Sequence, residues 1–211
     1  DILRNKGAQT TLEERVWFAK EAFAVSSLYD SAIFNYFDGD NASMFRKAVN
    51  HPKSLRYGEN PHQKGYFYGD FEAMFDQIHG KEISYNNLLD INAAVDLIDE
   101  FEETTFAVLK HNNACGLASR ETLLEAWNDA LAGDPVSAFG GVLITNRAID
   151  KETAEEINKI FFEVIIAPDY DVNALEILTQ KKNRIILVRK ETEMPRQQYR
   201  SVLNGVLVQD R

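Results

Sequence analysis

Between residues 105 and 189, four short apolar runs alternate with three-to-five-turn amphipathic stretches, and this alternation constrains the fold most. The runs are "TFAVLK", "GGVLITN", "EVIIAP" and "RIILVRK". Each is too short for a helix and too continuously apolar for an exposed strand, so each reads as a strand buried on both faces. Between them lie "SRETLLEAWNDALAGDP", stopped by Gly133 and Pro135, "DKETAEEINKIF", capped by Asp150, and "DVNALEILTQKK". Strand and helix in turn, joined by short connections, predict βαβ units. The fold class is therefore α/β, with a largely parallel sheet covered by helices on both faces. Ahead of this region, "KGYFYGDF" reads as a strand between glycines. "ISYNNLLDINAAVDLIDEF" reads as a strand end, an Asn cap and a helix with Leu88, Ile91, Val95 and Ile98 on one side.

The first 48 residues differ. Thr11 and Glu14 have the spacing of a capping box, and Leu12, Val16, Ala19 and Phe23 then recur at helical spacing. A second helical stretch is predicted through "SSLYDSAIFNYF", ending near Asp38-Gly39. A polar connection to Pro52 carries one short amphipathic piece around Phe45. No strand is evident before it, which places a boundary near residue 48. The opening without methionine and the close on "VLNGVLVQDR", an apparent strand, suggest a piece of a longer chain.

Composition narrows the function classes. A net charge of −10 argues against an electrostatic grip on nucleic acid or an anionic membrane. An anionic ligand would need a local arrangement of Arg, Lys and backbone N–H groups. No stretch approaches a membrane span or a signal peptide core. A single cysteine excludes an intrachain disulfide and fits a reducing, cytoplasmic compartment.

Three polar clusters could carry chemistry. In "KHNNACG", directly after "TFAVL", His111 can take a proton near neutral pH and Lys110 adds positive charge. Taken alone, the stretch fits a solvated strand-to-helix turn as well as a site. Ligands in open parallel sheets collect beyond the carboxyl ends of strands, which favours the site. In "SLRYGENPHQKG", Arg56 offers a forked donor for phosphate and Tyr57 a ring for stacking, though a generic turn is equally served. In "GDPVSAFGG", Ser137 and the paired glycines could let backbone approach a ligand, or could simply close a helix-to-strand connection. It is neither a Walker loop nor a dinucleotide fingerprint. Acidic stretches such as "DEFEETT" and "ETAEE" read as solvated helix faces. A zinc deaminase pattern fails at two points: Asn113 stands where H-x-E needs glutamate, and Ala118 where the second thiolate would be.

Together, "LRYGENPHQ", "ISYNNLLD", "LKHNNACG", "DPVSAFGG", "EVIIAP" and "NGVLVQDR" resemble, in order, the motifs of the bifunctional purine biosynthesis family, which joins AICAR transformylase to IMP cyclohydrolase. The resemblance covers essentially the whole chain. It implies that residues 1–48 are the C-terminal helical tail of the cyclohydrolase domain, and 49–211 the N-terminal half of the transformylase domain. The implied fold of that half is a cytidine-deaminase-like sheet without the zinc. The implied reaction is formyl transfer from 10-formyltetrahydrofolate to the 5-amino group of AICAR in de novo purine biosynthesis, in a cytoplasmic homodimer needing no metal here.

Lys110 and His111 match the family's catalytic pair. Arg56 and Tyr57 match ligand contacts, Arg56 toward the nucleotide phosphate, and Asn87, Phe139 and Gly140 match positions lining the AICAR pocket. Glu163 stands where some members carry aspartate, and Ala114 where proline is usual. The resemblance also implies that folate-binding residues and a catalytic asparagine lie mostly outside this chain, and that the site forms between two subunits. Alone, the chain is expected to be an inactive nucleotide-binding or dimerisation module.

Overall fold

A computed structural model of the chain describes residues 2–41, 43–49 and 52–211. Two compact units result, Asp1–Lys53 and Ser54–Arg211. The first contains α1 (Ile2–Asn5) and α2 (Leu12–Asp38), followed by a 3-10 turn over Gly39–Asn41. The capping box forms as its spacing predicts: Glu14 N–H donates to Thr11 Oγ1 at 3.2 Å, and Thr11 N–H to Glu14 Oε2 at 2.8 Å. The two predicted helical stretches are one continuous helix, because no glycine or proline interrupts residues 12–38. The connection around Phe45 forms no helix or strand over residues 43–49, and Ala42, Asn50 and His51 lie outside the described residues. The apolar face of α2 is present but uncovered within its unit: Leu12, Val16 and Phe23 are exposed, and no described residue of the helix is buried.

The second unit begins with the two-stranded sheet of β1 (Lys53–Leu55) and β2 (Gly65–Phe67). β3 (Phe75–His79), α3 (Tyr85–Ile98), β4 (Thr105–Lys110) and β5 (Asn113–Ser119) follow. Then come α4 (Leu123–Gly133), β6 (Val142–Thr145), α5 (Lys151–Ile157), β7 (Val164–Ala167), α6 (Val172–Leu178) and β8 (Ile185–Arg189). β9 (Gln197–Val202) and β10 (Gly205–Asp210) close the chain as an antiparallel hairpin. The main sheet has six strands in the order β3-β8-β7-β6-β4-β5. The cap of α3 is Ser84, whose hydroxyl accepts from Asn87 N–H, rather than an asparagine.

Period-two patterning builds a core on each face. Phe106, Val108, Leu143, Ile165 and Ile186 point to one side, where they meet Trp127 of α4, Ala154 and Ile157 of α5, and Leu178 of α6. Ala107, Leu109, Val142, Ile144, Val164, Ile166, Ile185 and Leu187 point to the other, against Ile91, Val95 and Ile98 of α3. Each such buried aliphatic side chain contributes about 1.5–3 kcal/mol of transfer free energy.

The sheet is mixed rather than largely parallel. Only β6–β7 and β7–β8 pair in parallel, whereas β3–β8, β4–β5 and β4–β6 are antiparallel. The reversal arises at "KHNN": the chain turns back within two residues, and "NACGLAS" runs as β5 instead of leading into a helix. β5 is then parallel to β6 across the intervening β4, with α4 as the crossover. Gly116 in β5 permits this packing, since a Cβ there would lie 1.8 Å from Ala130 O of α4. Among the described residues no helix is long and apolar enough to cross a membrane.

Candidate active site

Lys110 ends β4 and pairs across the hairpin with Asn113, leaving His111 and Asn112 as a two-residue loop. Both have left-handed backbones, φ 53° and 63°, as a type I′ hairpin turn requires. Histidine and asparagine tolerate that region better than most residues. The turn pushes the His111 side chain into solvent, while Lys110 stays half-buried. Two contacts hold the tip. Asn113 Nδ2 donates to His111 O at 2.7 Å, and Asn112 N–H donates to Asp90 Oδ1 of α3 at 2.8 Å.

From Lys110 the group continues into the loop before β6. Lys110 Nζ donates to Phe139 O at 2.7 Å. The next residue, Gly140, has φ 74°, a conformation suited to glycine, and its N–H donates to Phe161 O at 2.8 Å. The Phe139 and Phe161 rings lie 5.2 Å apart, both at least half exposed, and form an aromatic surface beside the Lys110 anchor. Ser137, considered a possible ligand contact, is engaged in the turn itself. Its hydroxyl donates to Asp134 Oδ2 at 2.6 Å, a bond that holds the Asp134 carboxyl below the usual carboxylate range.

A second branch reaches Glu163, just ahead of β7. Its N–H donates to Gly141 O at 3.0 Å, while its carboxylate oxygen Oε2 accepts from Lys81 Nζ at 2.9 Å and from Asn87 Nδ2 at 3.3 Å. Asn87 is buried, and its other amide atom accepts from the backbone and hydroxyl of Ser84. One side chain thus caps α3 and ties it to Glu163. Lys81 was not singled out in the sequence. An isolated lysine in "GKEIS" carries no local signal, and its partner lies 82 residues away.

Arg56 and Tyr57 stand on a separate loop, with the Arg56 guanidinium 5.6 Å from the Tyr57 ring centroid. That loop is closed by Gly58 N–H on Gln63 O and by Asn60 N–H on Gln63 Oε1, both at 2.8 Å. Its link toward α3 is Asn86 Nδ2 donating to Glu59 O at 3.2 Å. Among the described residues, Arg56 and Tyr57 make no hydrogen bond to Lys110, His111 or Glu163. The structure therefore brings Lys110, Phe139, Gly140, Glu163 and Asn87 into one bonded group, has His111 adjoining it, and leaves Arg56 and Tyr57 beside it.

The group's position departs from the rule that pointed to it. It sits at the carboxyl end of β4, but β4 is antiparallel to β6, so this edge is the amino end of β6, β7 and β8. At the opposite edge, where the parallel strands finish, a cleft of ≈ 730 Å³ is lined by Asp96, Asp99, Thr145, Arg189, Gln198 and Arg211, among others. Both of its arginines are paired with its aspartates: Arg189 bonds Asp99 through both guanidinium ends at 2.6 and 2.8 Å, and Arg211 pairs with Asp96.

Cys115 is half-buried against the α4–α6 core, and burial pushes its thiol pKa up. Among the described residues no cluster of three or more His, Cys, Asp or Glu side chains could hold a metal ion. Chemically, and counting partners among the described residues, the group offers an ammonium with one of its three donors engaged, an exposed imidazole on the next residue, an aromatic surface, and a carboxylate with one oxygen unbonded.

The family model described as AICARFT/IMPCHase bienzyme matches residues 1–211. A protein of Bacteroides thetaiotaomicron named bifunctional purine biosynthesis protein PurH is 79% identical over 211 residues, covering 100% of this chain and 42% of its own length. Proteins of the same name from Rhodospirillum rubrum and Chloroflexus aurantiacus are 46% and 45% identical. They are covered over 42% and 41% of their lengths, by 100% and 97% of this chain. The chain thus spans about two-fifths of the curated relatives it matches.

Proposed function

The chain belongs to the AICARFT/IMPCHase bienzyme family, and from that premise we propose that it forms part of an enzyme of purine biosynthesis that formylates AICAR, with IMP cyclohydrolase activity in the same protein. Residues 1–48 are the tail of the cyclohydrolase domain and 49–211 the first half of the transformylase domain. The formyl donor is 10-formyltetrahydrofolate, and the working protein is a cytoplasmic homodimer.

The amine of AICAR is conjugated into its imidazole carboxamide and is a weak nucleophile. Its nitrogen attacks the formyl carbon, a C–N bond forms, and negative charge develops on the formyl oxygen. His111 takes the amine proton, and Lys110 stabilises the oxyanion and adds positive charge beside the imidazole. The intermediate then breaks its bond to the folate nitrogen, which leaves with the proton that His111 took, and the imidazole returns to its neutral form. Arg56 meets the nucleotide phosphate and Tyr57 the ligand. Asn87, Phe139, Gly140 and Glu163 line the nucleotide pocket.

The observation that best supports this reading is the two-residue turn at the end of β4. It places exposed His111 directly after Lys110 in the chain, and the Lys110 ammonium is anchored on Phe139 O at 2.7 Å, in the same bonded group as Gly140, Glu163 and Asn87. In the full-length protein, His111→Ala should lower formyl transfer by about 10²–10⁴-fold with nucleotide affinity little changed. Unchanged turnover rejects the proton-acceptor role.

Coverage of only two-fifths of its relatives favours a second reading for the chain by itself, as a catalytically inactive nucleotide-binding or dimerisation module. Calorimetric titration with AICAR tests nucleotide binding, and absence of heat at millimolar nucleotide removes that half of the reading.

A further inference from the structure

We propose that Asp90 is a positioning residue for His111, acting through the backbone of the hairpin tip; this rests on the assignment of His111 as proton acceptor. The tip is intrinsically strained. Two consecutive L-residues stand at positive φ, where Cβ crowds the following carbonyl oxygen, asparagine bearing this more easily than histidine. Of the contacts that hold them, the pairing of Lys110 with Asn113 and the Asn113 amide on His111 O both belong to the hairpin. The bond from Asn112 N–H to Asp90 Oδ1, 2.8 Å and 22 residues apart in sequence, is the one hydrogen bond among the described residues that reaches the tip from another element. It is charge-assisted, and it engages an N–H that a type I′ turn leaves unpaired.

α3 gives the bond its functional meaning. Asp90 lies three residues after Asn87, so both project from neighbouring positions on one side of the helix. Asn87 bonds Glu163 and Asp90 bonds the tip. The helix, fixed by Ile91, Val95 and Ile98 in the core, therefore sets the spacing between the imidazole and the carboxylate. Without Asp90 the hairpin persists, but its tip is free to rock on β4 and β5.

The test is steady-state and single-turnover kinetics of formyl transfer in the full-length protein, with Asp90→Ala, Asp90→Asn and Asp90→Glu measured beside His111→Ala. Asp90→Ala should lower kcat about 10-fold or more, with nucleotide KM within about 2-fold, since misplacement by an ångström costs up to about 10²-fold. Asparagine keeps an acceptor oxygen in place, so Asp90→Asn should recover kcat to within about 3-fold of the parent. A folded Asp90→Ala with unchanged kcat overturns the proposal, and so does an Asp90→Asn as impaired as Asp90→Ala. If Asp90→Ala does not fold, Asp90→Glu decides: reduced kcat at unchanged KM supports the proposal, and parental kcat refutes it. Loss of turnover in His111→Ala without loss in Asp90→Ala defeats only the positioning role. Full turnover in His111→Ala defeats the assignment of His111 and this inference with it.

Discussion

Gly116→Ala is the most exacting test of the reversed topology. In the structure β5 lies so close to the last turn of α4 that a Cβ on residue 116 would stand 1.8 Å from Ala130 O and 2.8 Å from its carbonyl carbon. Both obstacles are backbone, so no side chain can swing aside. Strand and helix must separate by roughly 1 Å or more, and overpacking of this kind costs about 1–3 kcal/mol, the upper end applying where only backbone can move. Separation also pulls Ala126, Trp127 and Ala130 of α4 from the core they fill. About 3 kcal/mol is expected, a fall in Tm of about 6–12 °C for a domain of this size.

Urea unfolding followed by tryptophan fluorescence measures it directly. Trp127 is buried on α4 whereas Trp17 is about half exposed on α2, so the change on unfolding is dominated by the helix in question. Gly133→Ala is the internal control, because its Cβ would meet Cys115 O at 3.1 Å, a contact relieved by a small shift. A Gly116→Ala variant within about 0.5 kcal/mol of the parent, at unchanged m-value, would refute the close packing of β5 on α4. With it would go the placement of "NACGLAS" as an edge strand.

Arg184→Met should destabilise the second unit by about 2 kcal/mol in the same assay. It removes a buried guanidinium that bonds Asn158 Oδ1 at 2.9 Å and Leu178 O at 3.0 Å, at the C-terminal ends of α5 and α6, and that stacks 4.1 Å from the Phe162 centroid. Thr122→Ala should cost about 1 kcal/mol by leaving Glu125 N–H without the threonine oxygen that caps α4, whereas Thr122→Ser should cost much less. Cys115 should react with a maleimide more slowly in the folded protein than in urea at the same pH, since burial raises its thiol pKa. The sign follows: an acid whose pKa is raised by folding contributes stability that is full below the ordinary thiol value and declines as pH rises beyond it. A Cys115→Ala variant should lose that decline, seen as a flatter stability profile above neutral pH.

The two-sided core was legible because it is written residue by residue. In "TFAVLK" the alternation of Phe106 and Val108 against Ala107 and Leu109 assigns each side chain a face whichever way the strand runs. The caps at Thr11 and Asp150 were readable for the same reason, their partners being three residues away. Strand direction was not. "NACGLAS" has little β-branched content, and its membership in the sheet depends on pairing with β4 through a turn that reads equally well as a loop. This strand and β3, another antiparallel member that carries no strand pattern in the sequence, made the sheet look largely parallel, and the carboxyl-end rule was therefore applied to a strand that runs against its neighbours.

By itself the sequence determined the α/β class, the apolar faces of strands and helices, the family, and the candidate pair Lys110 and His111. These follow from periodicity and motif order, which are properties of short spans. Tertiary structure alone decided the antiparallel entry of β4 and the edge of the sheet on which the group sits. It also decided the meeting of Lys81, Asn87 and Glu163, and the bond from Asp90 to the tip that carries His111. Those depend on which backbone and side-chain groups meet across tens of residues, a choice made by packing the whole unit rather than by any local pattern.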